Sequence, residues 1–244
     1  MMGARVDFYR AAIREVDDLE GYLAAHSNLP GPRGNLELAQ AAAEELDIGV
    51  LELLARSEDE FEAFCGVVGL GRAIAEGRRD LVAVLRAYAE DERWRVREAV
   101  AMALQRWGDA DLGAMLDEAT TWTAGSRLEQ RAAAAGTCEP RLLRDPANVR
   151  RVLALLDAIT VMLPGAADRR TDAYRTLRQA LGYCWSVAIA ASPVDGLPAF
   201  ARWRRSPDPD VGWVVRENLK KARLRRVLAG SSFADQGGGT RTAG

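Results

Sequence analysis

A ten-residue pattern written twice, 119 residues apart, is the strongest constraint on how this chain can fold. Asp91-Glu-Arg-Trp94-Arg-Val96-Arg97-Glu98-Ala-Val100 returns as Asp210-Val-Gly-Trp213-Val-Val215-Arg216-Glu217-Asn-Leu219, with Asp, Trp, Val, Arg and Glu at the same offsets. A third copy, Asp172-Ala-Tyr-Arg175-Thr-Leu177-Arg178-Gln179-Ala-Leu181, keeps the Asp, the aliphatic residue, the Arg and the last apolar position. A chain assembled from such units buries its core between neighbouring copies, so every copy must present a matching apolar face.

That face is helical. Val96, Val100, Ala103, Leu104 and Trp107 fall at i, i+4, i+7, i+8 and i+11, and Leu177, Leu181, Cys184, Trp185 and Ala188 repeat the spacing. Asp91, Asp172 and Asp210 stand just ahead of the stripes, where a short carboxylate caps free backbone N–H groups and favours the helix dipole. Each is expected to start a helix. A degenerate copy is expected around Arg127-Leu-Glu-Gln-Arg131, with Arg131 in the Arg slot and Gly125 in place of the Asp.

An Asp followed five residues on by an aliphatic residue and six on by Arg resembles the HEAT repeat. The resemblance implies an all-α chain, a right-handed α-solenoid of antiparallel helix pairs. In it the turn Asp and the Arg of adjoining second helices form a ladder of charge-assisted hydrogen bonds: Asp91, Arg97, Asp172, Arg178, Asp210 and Arg216. At Gly125 the ladder should be broken. The repeats are expected over residues 80–229, continuous with a divergent helical cap over 1–79 and followed by a disordered tail over 230–244.

Within the cap, Phe8, Ala12, Val16, Leu19 and Leu23 form one stripe from Ala4 to His26, which Ser27 to Asn35 then breaks. Asn35 is expected to cap a helix reaching about Ala55, and a third helix covers Ser57 to Glu76. Gly69-Leu-Gly71 lacks the third glycine of a dinucleotide fingerprint and reads as close helix packing. Further on, Pro146 opens a long apolar helix, Ser192 to Pro198 reads as a turn, and Phe200 and Trp203 anchor a short helix.

Charge is graded along the chain. Residues 1–90 carry nine Arg against 17 Asp or Glu, whereas residues 91–230 carry 23 basic against 17 acidic residues, so a net charge of -2 conceals opposite ends. The basic residues concentrate at Arg202, Arg204, Arg205, Lys220, Lys221, Arg223, Arg225 and Arg226. In the last copy Arg223 and Arg226 hold the offsets of Leu104 and Trp107. Such a stripe is either a polar end to the array or a surface for a polyanion such as nucleic acid.

Little else carries chemistry. His26 is the lone histidine, Cys65, Cys138 and Cys184 are far apart, and no metal-ligand spacing occurs, so neither a metal nor a cofactor is expected. No run of 18 apolar residues and no basic-then-apolar leader is seen, which leads to the expectation of a cytoplasmic protein without a membrane partner. The remaining constellation is Trp94 with Glu98 and Trp213 with Glu217, each an aromatic face beside a carboxylate at i, i+4.

Through those pairs the chain distantly resembles the AlkD-type DNA glycosylases. The resemblance implies a carboxylate, Glu98 or Glu217, stabilising a cationic alkylated nucleotide beside a Trp. The competing reading makes each Trp a filler between repeats and each Glu the partner of an adjacent Arg. The leading expectation is a non-catalytic module that binds a protein partner on its concave face, with a DNA-repair glycosylase as the alternative.

Overall fold

The computed structural model describes residues 2–230, the Met2 side chain excepted, and the expected tail lies outside the described residues apart from Gly230. Among the described residues there are 14 α-helices, two 3-10 turns and no strand. No helix there is long and apolar enough to cross a membrane. The chain divides into two compact units, Met1–Thr137 and Cys138–Gly244.

In the first unit the expected Ala4–His26 stripe is broken. Helix α1 (Met2–Glu15) and helix α2 (Leu19–His26) are separate, because the Asp18 carboxylate accepts the Gly21 N–H at 2.9 Å and begins a new helix. Phe8 of the expected stripe is 63% exposed, while Ile13 and Leu23 are buried. Helix α3 (Leu36–Glu45) starts on Asn35, whose Oδ1 accepts the Leu38 N–H at 3.0 Å. It stops well short of Ala55: extended backbone at Leu46 and Asp47 intervenes before α4 (Ile48–Ala55).

Helix α5 (Glu60–Ala75) is capped by Asp59, which accepts from the Phe61 and Glu62 N–H groups, and is buried along most of its length. Its glycines let backbones meet. A Cβ on Gly66 would lie 2.1 Å from the Ala55 nitrogen, and one on Gly71 would lie 2.2 Å from the Ala103 carbonyl oxygen. The unit continues with α6 (Leu81–Ala87), α7 (Trp94–Ala110), α8 (Leu112–Thr121) and α9 (Arg127–Thr137), with 3-10 turns at Tyr88–Glu90 and Trp122–Ala124.

Packing follows from these faces. Helix α5 lies against α3, α4 and α7, and α7 lies against α5, α8 and α9. The first compact unit runs through residues 79 and 80 without a break, and α5 and α7 meet in its core where Gly71 approaches the fully buried Ala103.

The second unit contains α10 (Pro146–Thr160), α11 (Asp172–Ala191), α12 (Pro193–Arg204), α13 (Pro209–Leu219) and α14 (Ala222–Gly230). Helix α11 lies against all four others. The expected turn at Ser192–Pro198 is helical: Pro193 takes a first-turn position that tolerates it. Pro198 sits inside the helix, and the carbonyl that loses its donor belongs to Val194, an 81% exposed residue. Asn218, fully buried, donates from Nδ2 to the carbonyls of Leu181 and Val214, both at 2.8 Å, and accepts the Ser186 N–H at 2.8 Å. One amide thereby ties α13 to the backbone of α11.

The repeat stripes are interior as their spacing predicts, Val96, Val100, Ala103, Leu104 and Trp107 in one unit and Leu177, Leu181, Cys184, Trp185 and Ala188 in the other. The caps differ from expectation. Arg93 precedes α7 without a capping bond, the Thr171 hydroxyl caps α11, and Asp208 caps α13 by accepting the Asp210 and Val211 N–H groups at 3.0 and 3.1 Å. Asp91, Asp172 and Asp210 are freed from capping, and their carboxylates act elsewhere.

Candidate functional site

The ladder residues separate into one cross-helix network and several local pairs. In the second unit Arg178 of α11 bonds the Asp210 carboxylate of α13 directly. Arg169 donates to the same carboxylate at 3.1 Å and to Asp208, and the buried Tyr174 hydroxyl donates to Asp210 at 3.0 Å. Burial, and then the Asp210 carboxylate, hold the Tyr174 phenol well above its usual range. Burial would raise the Asp208 carboxyl, but Arg169 and the two capped N–H groups outweigh it and hold it low. Asp172 stays outside this network, almost fully exposed and paired with Arg175 at 3.0 Å, and Arg216 is exposed on α13.

The corresponding residues of the first unit turn inward on their own loop. The Asp91 carboxylate holds Arg93 through the backbone N–H at 2.8 Å and the guanidinium at 2.8 and 2.9 Å, which pulls its pKa down. Arg93 then reaches the Ser57 carbonyl at 2.8 Å. Arg97 does not meet an Asp carboxylate: it donates to the backbone carbonyls of Asp91 and Glu92 at 2.6 and 2.9 Å. Arg131 in turn donates to the Arg97 carbonyl at 2.9 Å and lies 3.7 Å from Glu98.

Glu129 occupies the gap at Gly125. Its Oε2 lies 1.7 Å from where a Gly125 Cβ would be, and Arg86 bonds its Oε1 at 2.5 Å. Arg86 above all depresses the Glu129 pKa. Ser126 Oγ accepts the Glu129 N–H at 3.1 Å while Glu129 accepts the Ser126 N–H at 2.7 Å, a reciprocal capping box. The Ser-x-x-Glu spacing is present in the sequence but lies outside the Asp and Arg slots by which the repeats align.

The two Trp–Glu pairs are unlike. Trp94 is 44% exposed, with the Arg95 guanidinium 4.4 Å from its ring centroid. Arg95 is itself fixed by Glu60 at 2.7 Å and by the Gly31 carbonyl at 2.8 Å. Trp213 packs on Gly182, leaving no room for a Cβ there, and carries Arg178 at 4.7 Å. Glu217 takes Lys220 at 2.5 Å, which lowers its pKa. Both members of this pair are therefore engaged inside the protein.

The basic residues form two groups within the second unit. Arg202 bonds Asp157 and stacks on Trp203 at 4.4 Å, and with Arg150 and Asp195 it rims an open groove of about 350 Å³ floored by Leu153 and Ala199. Arg204 and Arg205 are exposed at the end of α12. The other group surrounds Tyr183, a 43% exposed residue of α11 that no repeat position marks. Arg223 donates to its hydroxyl at 2.6 Å and lies 4.5 Å from its ring, with Lys221 at 5.7 Å. Lys220, Arg225 and Arg226 are exposed nearby in sequence.

Among the described residues no group of three or more His, Cys, Asp or Glu is placed to hold a metal, and all three cysteines are buried thiols. Burial in an apolar helix pushes the Cys65 thiol strongly up, away from thiolate reactivity. No protein-family model, no curated protein and no solved structure matches the chain.

Proposed function

We propose that the first unit is a HEAT-like, solenoid-type repeat module that binds a protein partner without catalysing a reaction. Two features support the architecture: α5, α7 and α9 pack each on the next, and α4, α6 and α8 intervene in the sequence and lie against the same helices. The arrangement in the second unit is of the same kind, with α10 and α11 followed by α12 and α13 and a cross-helix Arg178–Asp210 pair.

The observation that carries the function is Trp94. A tryptophan left 44% exposed, stacked by an arginine that is tied to two further groups, is a preorganised aromatic anchor. Trp and Arg dominate binding hot spots, and an anchor already held in place loses little side-chain entropy when a partner covers it. Glu98, one turn away and 48% exposed, supplies a polar rim. The cation-cradle reading of the Trp–Glu pairs has no comparable support, because Arg178 and Lys220 already take the cationic role at Trp213 and Glu217.

The test is photocrosslinking in the native host with a photoreactive phenylalanine at Trp94 and, separately, at the exposed Leu53 as a control. A discrete protein adduct at position 94 that is absent at position 53 is expected. Adducts to nucleic acid, or the same pattern at both positions, would sink the reading.

A further inference from the structure

The charge gradient of the sequence coincides with the division into compact units. Residues 1–137 carry 15 basic and 25 acidic residues, net -10, and residues 138–230 carry 17 basic and nine acidic residues, net +8. On the acidic side Glu15, Asp17, Asp18 and Glu20 form an exposed cluster that runs from the last residue of α1 into the first turn of α2. Asp18 caps α2, and among the described residues Glu15, Asp17 and Glu20 have no ion-pair partner. On the basic side Arg223 and Lys221 are gathered on Tyr183, while the exposed Arg216, Arg225 and Arg226 have no ion-pair partner among the described residues.

The Tyr183 patch is built for carboxylates rather than for stacked bases. Arg223 and Lys221 lie 4.5 and 5.7 Å from the Tyr183 ring centroid, so a stacked nucleobase would compete with two cations for the ring. The Arg223 guanidinium is held by a hydroxyl and a ring, neither of which neutralises it, and its remaining N–H groups suit a bidentate carboxylate. We propose that this patch docks the acidic first unit of a second copy of the chain, engaging the segment from Glu15 to Glu20, so that copies associate head to tail. The surface is independent of Trp94, and its test is independent of the crosslink above.

A heterologous contact of this kind builds a ring where its rotation closes and an open chain where it does not. Exposed ion pairs are individually weak, so the association is expected to be loose, dependent on concentration and sensitive to salt. Sedimentation velocity of the full chain would be measured at about 20 mM and about 500 mM salt, where the Debye length falls from roughly 20 Å to roughly 4 Å. Species larger than the monomer are expected to grow with protein concentration at low salt and to vanish at high salt.

Two charge-reversed variants complete the experiment, Lys221→Glu with Arg223→Glu at one surface and Glu15→Lys with Asp17→Lys at the other. Each alone is expected to weaken association at least about tenfold, and an equimolar mixture of the two should restore it. Circular dichroism of each variant checks that it folds. A wild-type chain that stays monomeric at low salt overturns the proposal, as does association that neither reversal weakens. If the wild type stays monomeric but binds a labelled single-stranded oligonucleotide through Lys221 and Arg223, the patch is a phosphate surface and the second copy is ruled out.

Discussion

Arg97 and Arg178 occupy the same slot of the same repeat and have opposite fates. Arg178 crosses from α11 to the Asp210 carboxylate of α13, where Arg169 and Tyr174 also converge. Arg97 folds back onto the carbonyls of Asp91 and Glu92. The difference lies in the following repeat: after Arg178 comes an Asp at 210, after Arg97 comes Gly125, and Glu129 has filled the vacancy with its own arginine, Arg86. An arginine in a repeat thus has no role of its own. Its energetic weight depends on the carboxylate supplied by the next copy.

Removing that carboxylate should have the largest effect. Asp210→Ala leaves the Arg178 guanidinium and a buried hydroxyl without their acceptor and Arg169 with Asp208 as its remaining carboxylate, and urea unfolding should show a loss of roughly 3 kcal/mol. A loss below about 1 kcal/mol would mean that water replaces the network. Truncating the arginines separates the two cases directly. Arg178→Ala should cost about 2 kcal/mol, because it removes a charged donor from a charged acceptor, and Arg97→Ala about 1 kcal/mol, because its acceptors are neutral carbonyls that solvent reaches. Equal costs would erase the distinction.

The broken rung can also be rebuilt. Gly125→Asp alone should destabilise by about 1 kcal/mol, because its Cβ would meet Glu129, and Glu129→Ala, which itself removes the Arg86 pair and the capping box, should relieve that clash so that the double variant loses less than the sum of the two. A double-mutant cycle in urea would show positive coupling between the two sites. Strictly additive effects would indicate that the clash with Glu129 does not set the cost of the new Asp.

The smallest effect concerns an ion pair at neither rung. Arg14 and then Arg10 donate to Glu45 and hold its pKa down to about 2, clasping α1 to the end of α3. A depressed carboxylate contributes stability that is present above the unfolded pKa and is lost as pH falls through the folded one. The urea midpoint of the wild type should therefore exceed that of Glu45→Gln above about pH 4.5, and the gap should close as pH approaches 2. A gap that persists to the lowest pH would show that packing rather than charge makes the difference.

How far the sequence speaks depends on what kind of signal is asked of it. The apolar stripes were legible because a helical period repeats in one dimension, and Gly69-Leu-Gly71 was legible because only close packing explains glycines in a long apolar helix. The cap positions differ from the expected ones by one or two residues: Thr171 and Asp208, not Asp172 and Asp210, have the geometry to accept the first N–H groups. Arg169 and Tyr174 could not be found from the repeat at all, since they converge on Asp210 from 41 and 36 residues away. Tyr183 was hidden for a different reason. It lies on the exposed side of a helix whose pattern reports only its buried side.

Asn218 gives the second unit something that apolar stripes alone do not. It stands where the first copy has Ala99, and it reads the backbone of α11 at Leu181 and Ser186 rather than any side chain. A smooth apolar interface can slip by one helical turn, about 5.4 Å, and still exclude water. Here such a slip would strand a buried amide and two backbone groups at once. The alignment of α13 on α11 is therefore indexed like a key on a shaft: one position engages and the neighbouring ones do not. A further repeat copied from this one would inherit that index, whereas one copied from the Ala99 version would be free to slide.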